Sequence, residues 1–209
     1  MKIGILISGR GSNMVALVDA VASGEIPDSE VVVVISDQAE AGGWATAAER
    51  GVEALVIERA GRKRAEHDAD IAAALKERGV ELVCLAGYMR ILSADFVRAF
   101  PSRIVNIHPS LLPSFTGLGV QQQAIDYGVK FSGCTVHFVD EDLDHGPIIL
   151  QRIVEVKDDD TAETLSERIL EKEHGAYVEA VRLIAEDRIR VENRTVKILT
   201  DQTSDVSRS

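Results

Sequence analysis

The chain has 209 residues, enough to bury a sizeable core as one medium domain or two tightly joined lobes. Its 34 acidic residues outnumber 23 basic ones, and the resulting net charge of −11 disfavours general nucleic-acid binding, which needs a basic face. No apolar run approaches the ~20 residues of a membrane span, and Cys84 and Cys134, far apart in apolar segments, fit buried reduced thiols better than a metal site or disulfide framework.

Ile3–Ile7 is the first apolar strand, and the absence of a charged-then-apolar leader before it predicts a cytoplasmic protein. Gly9, Gly11, Ser12 and Asn13 follow, and Asn13–Ala22 has a helical pattern. Glycines after a strand let a ligand approach the backbone, and the helix N-terminus offers unpaired N–H groups and a favourable dipole to an anion. A dinucleotide site competes with this, but G-R-G-S-N-M lacks the third glycine, and no acid ends the next strand cleanly beyond Asp37. A plain glycine turn with a serine cap is the bland alternative. Val31–Ile35, Ala54–Ile57, Leu82–Ala86 and Ile104–Ile107 read as further buried strands, and Trp44–Arg50 and Ala65–Arg78 as helices ending at Gly51 and Gly79. This alternation predicts an α/β, Rossmann-like, open and mostly parallel twisted sheet with helices on both faces.

Further on, Thr135–Val139 and Ile148–Val156 are joined by a short Asp/Gly-rich connection and predict an antiparallel C-terminal strand pair. Ala162–Leu183 carries a long helical pattern started by Asp160-Thr161, and Val191–Leu199 has the makings of a terminal hairpin. No linker divides residues 1–200, which predict one domain with halves of about 1–100 and 101–200, while 201–209 reads as a polar, disordered tail.

The chemistry concentrates in N-I-H-P-S-L-L-P, Asn106 to Pro113, and in Asp144 at the end of V-H-F-V-D-E-D-L-D. Asn106 offers an amide donor for a developing oxyanion, His108 a proton carrier, and Asp144 a carboxylate to orient the imidazole. Pro109 and Pro113 predict an extended, rigid loop. That combination suits acyl transfer; the bland reading is a strand-to-loop turn with a hydrogen-bonded histidine. The carboxylates Asp140 to Asp144 lack an EF-hand pattern and read as a solvated loop with one working member, Asp144, so no metal is predicted. His137, in mid-strand, reads as structural or as a neighbour of the site.

With the later L-D-H-G-P, N-I-H-P-S-L-L-P resembles the folate-dependent formyltransferases. I-S-G-R-G-S-N (Ile7 to Asn13) and A-G-Y-M-R-I-L (Ala86 to Leu92) narrow the resemblance to the members that formylate glycinamide ribonucleotide in purine synthesis, and the likeness runs from about Lys2 to about Ala185. It implies transfer of a formyl group from 10-formyltetrahydrofolate, as co-substrate, to the amine of 5-phosphoribosylglycinamide, with Asn106, His108 and Asp144 catalytic. It implies that Gly11, Ser12 and Asn13 bind the substrate phosphate, with Glu173 near the ribose. Met89, Arg90, Ile91 and Leu92 would wall the pterin, Arg64 would meet the folate's charged end, and Asn106 and Asp140 would also contact folate. Taken alone, Arg64 reads as a solvated charge and Glu173 as an exposed helix acid.

The partners implied are two small molecules, with no nucleic acid or membrane, and a homodimer is compatible with the resemblance. One departure is that T-G-L-G-V-Q, Thr116 to Gln121, stands where many members carry P-G-L-H-x-H. A formyltetrahydrofolate hydrolase or methionyl-tRNA formyltransferase is the nearest alternative; each carries an extra domain not expected here. From another class, a non-catalytic folate or nucleotide sensor would lack turnover.

Overall fold

The computed structural model describes residues 1–199, and the tail predicted at 201–209 lies outside them. In chain order the elements are Lys2–Ile7 (β1), Ser12–Ala22 (α1), Glu30–Ser36 (β2), Gly42–Glu49 (α2), Ala54–Val56 (β3), Arg64–Glu77 (α3), Leu82–Leu85 (β4) and Ala94–Ala99 (α4). Ile104–His108 (β5), Val120–Tyr127 (α5), Phe131–Phe138 (β6), Ile148–Glu155 (β7), Ala162–Ala185 (α6), Ile189–Glu192 (β8) and Thr195–Ile198 (β9) complete the order.

Among the described residues one sheet carries every strand, in the order β3-β2-β1-β4-β5-β6-β7-β9-β8. The first five strands in this order run parallel. Their interiors are rich in Val, Ile and Leu because helices cover both faces of the central strands, and the polar side chains of β5, Asn106 and His108, stand out against that background. Successive side chains feed opposite cores: Ile3, Ile5 and Ile7 join one with α1 and α6, and Leu6 joins the other with α3 and α4. β2 and β3 extend the sheet on one side of β1, β4 and β5 on the other. That reversal opens a crevice at the carboxyl ends of β1 and β4, where open α/β sheets bind ligands.

The Tyr177 hydroxyl of α6, fully buried, lies 3.0 and 3.1 Å from the carbonyls of Leu85 and Val105. α6 is thereby fastened to β4 and β5, the strands that lead into the two loops of interest. The predicted antiparallel pair is present as β6 and β7, although β6 begins earlier than predicted, at Phe131. The terminal hairpin β8–β9 reaches β7 through one parallel pair, Ile148 with Thr195. Gly51 and Gly79 follow α2 and α3 with φ of 76° and 67°, the left-handed step that ends a helix. α4 and α5 were not predicted. α4 is a short element started by the Ser93 hydroxyl accepting from the Phe96 amide, and α5 sits between two left-handed glycines, Gly119 and Gly128. Among the described residues no helix is long and apolar enough to cross a membrane.

Candidate active site

Asn106 and His108 lie two residues apart on β5 and share one face of the sheet. His108 is 5% exposed and is held from both sides. Its Nε2 donates to the Phe115 carbonyl at 2.9 Å, and since a carbonyl only accepts, this nitrogen carries a hydrogen. Its Nδ1 lies 3.5 Å from Oδ2 of Asp144, ion-pair range for an imidazolium. The same Oδ2 accepts the Gly117 amide at 2.8 Å, which fixes the carboxylate. Asp144 has φ of 50°, a left-handed conformation that Asp tolerates better than most residues. Its loop closes tightly at Gly146, where a Cβ would sit 1.9 Å from the Phe138 carbonyl oxygen.

The segment after His108 is not extended as its prolines predict. The Ser114 amide bonds back to the Leu111 carbonyl at 3.0 Å, and the buried Ser110 hydroxyl reaches the Ser114 and Phe115 carbonyls at 2.6 and 3.0 Å. These bonds outweigh the local preference of the prolines, and the Leu112–Pro113 peptide inside the turn is cis. The turn is what brings the Phe115 carbonyl onto His108.

Asn106 is oriented by a residue whose part the sequence did not reveal. Its Nδ2 lies 3.3 Å from Nε2 of His137, directly opposite on β6. The Nδ1 of His137 donates to the Phe138 carbonyl at 2.8 Å, so Nε2 is the accepting nitrogen of a neutral ring. Burial pushes the His137 pKa down and keeps that ring neutral. The network fixes the amide: Asn106 gives one hydrogen to His137 and keeps another for the cavity. Only the antiparallel register reveals this partnership.

A cavity of about 460 Å³ is lined by Met89, Arg90, Ile91, Asn106, His108 and Asp144, among others. Behind Asn106, a recess of about 90 Å³ holds Leu92, His137 and Asp140. Arg64, at the exposed start of α3, lines a third space of about 240 Å³ that shares Met89, Arg90 and Ile91 with the first. Met89 and Ile91 are 63% and 51% exposed, while Leu92 is 8% exposed and packs into the core with Phe96. Leu92 therefore lines the recess behind Asn106 and backs the wall of the main cavity. The acidic loop does not converge on a point: Asp140 Oδ2 contacts His145 Nδ1 at 2.8 Å, and Glu141 pairs with Arg98. Among the described residues no group of three or more His, Cys, Asp or Glu is placed to hold a metal ion. Gly119 and Gln121, within the departure at 116–121, line the main cavity, so that departure alters its wall directly.

Gly11, Ser12, Asn13 and Glu173 form a separate group outside these three spaces. Gly11, with φ of 75°, is the N-cap of α1 and Ser12 is already its first residue, so the serine-capped turn does not form. Asn13 Nδ2 donates to Glu173 Oε2 at 2.8 Å, joining residues 160 apart. Glu173 is 7% exposed, not the surface acid its helix position suggests. Burial pushes its pKa up, and the Asn13 bond opposes that shift. Oδ1 of Asn13 is buried and has no hydrogen-bond partner among the described residues.

A profile of formyl transferases matches residues 1–181. This chain belongs to the formyl transferase family. Within the family it is 46% identical over 193 residues to the trifunctional purine biosynthetic protein adenosine-3 of Bos taurus, covering 91% of this chain but only 19% of that protein. The phosphoribosylglycinamide formyltransferase of Haemophilus influenzae is 38% identical over 193 residues, which cover 92% of this chain and 91% of the relative. The crystal structure of glycinamide ribonucleotide transformylase 1 from Symbiobacterium toebii superposes with a TM-score of 0.94 at 52% identity, covering 96% of this chain and 94% of the other. The formyl transferase match ends inside α6, so the hairpin β8–β9 stands beyond it.

Proposed function

We propose that this chain transfers the formyl group of 10-formyltetrahydrofolate to the primary amine of glycinamide ribonucleotide. The observation that carries the reading is the meeting of the Asn106 amide, the His108 imidazole and the Asp144 carboxylate in one cavity beside the exposed Met89–Ile91 wall. The amine attacks the formyl carbon and forms a C–N bond, and the carbonyl oxygen takes up negative charge. Asn106 donates its free hydrogen to that oxygen. His108 exchanges its bond to the Phe115 carbonyl for a bond to the same oxygen once the substrates are in place. Asp144 stabilises positive charge on the imidazole and holds its orientation. As the C–N bond to the folate breaks, the leaving nitrogen accepts a proton through His108, which recovers one from the attacking amine. Gly11, Ser12 and Asn13 hold the phosphate at the α1 N-terminus, and Glu173 accepts from a ribose hydroxyl.

Met89, Arg90 and Ile91 hold the pterin, with Leu92 behind them; Asp140 lies at the rim and Arg64 meets the folate's charged end. Purified protein incubated with both substrates should give tetrahydrofolate and formylated ribonucleotide in equal amounts. Formate release from the folate without the ribonucleotide would instead make the chain a hydrolase, and absence of both reactions would sink the reading.

A further inference from the structure

The Tyr88–Leu92 loop is held in part by Ser8 and Asp37, which do not line the cavities it faces. Ser8, half-buried between β1 and the phosphate loop, donates its amide to the Gly87 carbonyl at 3.1 Å, and its Oγ accepts from the Met89 amide at 2.9 Å. Asp37, just beyond β2, is 2% exposed, and its Oδ2 takes the Arg90 guanidinium in an ion pair. Asp37 is itself fixed by its amide, which donates to the Ile7 carbonyl at 3.3 Å. Past the loop, the Ser93 amide donates to Asp68 Oδ2 at 2.6 Å.

These bonds anchor the backbone on both sides of Met89 and Ile91, whose side chains stay in the open. An exposed apolar wall that is not pinned loses its shape to conformational entropy, and ordering it then falls on the ligand. The acid that ends β2 is the group a dinucleotide fold offers to a ribose. Here Arg90 occupies it, so the carboxylate serves the neighbouring loop.

We infer that Ser8 and Asp37 are positioning residues for the folate side of the site. The inference rests on the proposed formyl-transfer reading. In the full chain, Ser8→Ala should raise KM for the formyl-folate about three- to tenfold, the size expected from one lost neutral hydrogen bond. KM for the ribonucleotide should change less than twofold. Ser8→Thr, which keeps the hydroxyl, should restore the folate KM. Asp37→Asn and Arg90→Gln should each raise it further, and the pair combined should cost less than the product of the two. Melting temperatures of all variants separate loss of the loop from loss of the fold.

The inference is overturned if both KM values rise together, if Ser8→Thr behaves like Ser8→Ala, or if the Ser8 and Asp37 variants match the parent. Should the parent bind tetrahydrofolate in calorimetry but transfer no formyl group, only the activity reading falls, and the variants' binding constants decide the positioning role. A parent that does neither overturns both.

Discussion

Asn106→Ala and His108→Ala should each lower kcat by ~10²–10³, the usual cost of removing one donor to an oxyanion. If both serve one oxygen, the double variant should lose less than the product of the single losses, and steady-state kinetics of the three proteins check this. Glu173 offers a prediction of opposite sign for stability. Its folded pKa lies above the ordinary 4.5, so between the two values the folded chain binds the proton more tightly than the unfolded one. Stability therefore falls as pH rises through that window, and at pH 7 the buried charge is a cost. Glu173→Gln should raise the melting temperature at pH 7, change it little below pH 4.5, and raise KM for the ribonucleotide. Equal melting shifts at both pH values would remove the electrostatic account. Asp144, in the loop between β6 and β7, was singled out by residue type and by the family resemblance, and that Asn106 and His108 share a face could be anticipated from their spacing on a strand. The grip of His137, Ser8 and Asp37 could not, because each acts across strands whose register is set by packing.

α6 carries both Glu173 and Tyr177, and its start is fixed by reciprocal bonds. Thr161 Oγ1 accepts the Thr164 amide at 3.3 Å, and Thr164 Oγ1 accepts the Thr161 amide at 3.0 Å. Thr161→Ala should cost about 1 kcal/mol, or ~2–4 °C of melting temperature in a chain of this length, and Thr161→Ser should recover most of it in calorimetry. This start was readable in Asp160-Thr161, as were the buried strands in their Val and Ile runs. α4 was not, since its few residues leave no room for a helical repeat to show. α5 was not either, since eight residues entered and left through glycines show little helical repeat, and Gly119 is the residue that caps it.

Both halves of the chain share one sheet, so the ligands assigned to them approach a continuous plate rather than two moving lobes. Tyr177 is where α6 fastens that plate, its hydroxyl shared between the carbonyls of Leu85 and Val105. Tyr177→Phe leaves those carbonyls without this donor and should destabilise the protein by ~1–3 kcal/mol, read by urea unfolding. Val105 immediately precedes Asn106, so kcat should fall severalfold in the same variant below its melting range. An unchanged kcat would confine Tyr177 to stability alone. The strand order near β1 could be inferred from the alternation of strands and helices. The insertion of β9 between β7 and β8 could not, because a single residue pair makes that junction.

The left-handed backbone of Asp144 bears on how its chemistry can be measured at all. Asparagine accepts that conformation about as readily as aspartate, whereas alanine there meets a penalty of about 1–2 kcal/mol. Alanine scanning of this loop would thus add backbone strain to any lost chemistry and overstate the carboxylate. Asp144→Asn keeps both the backbone conformation and an oxygen for the Gly117 amide, so the fall in kcat it causes reads the carboxylate charge, whereas Asp144→Ala adds the lost amide bond and the backbone penalty to it.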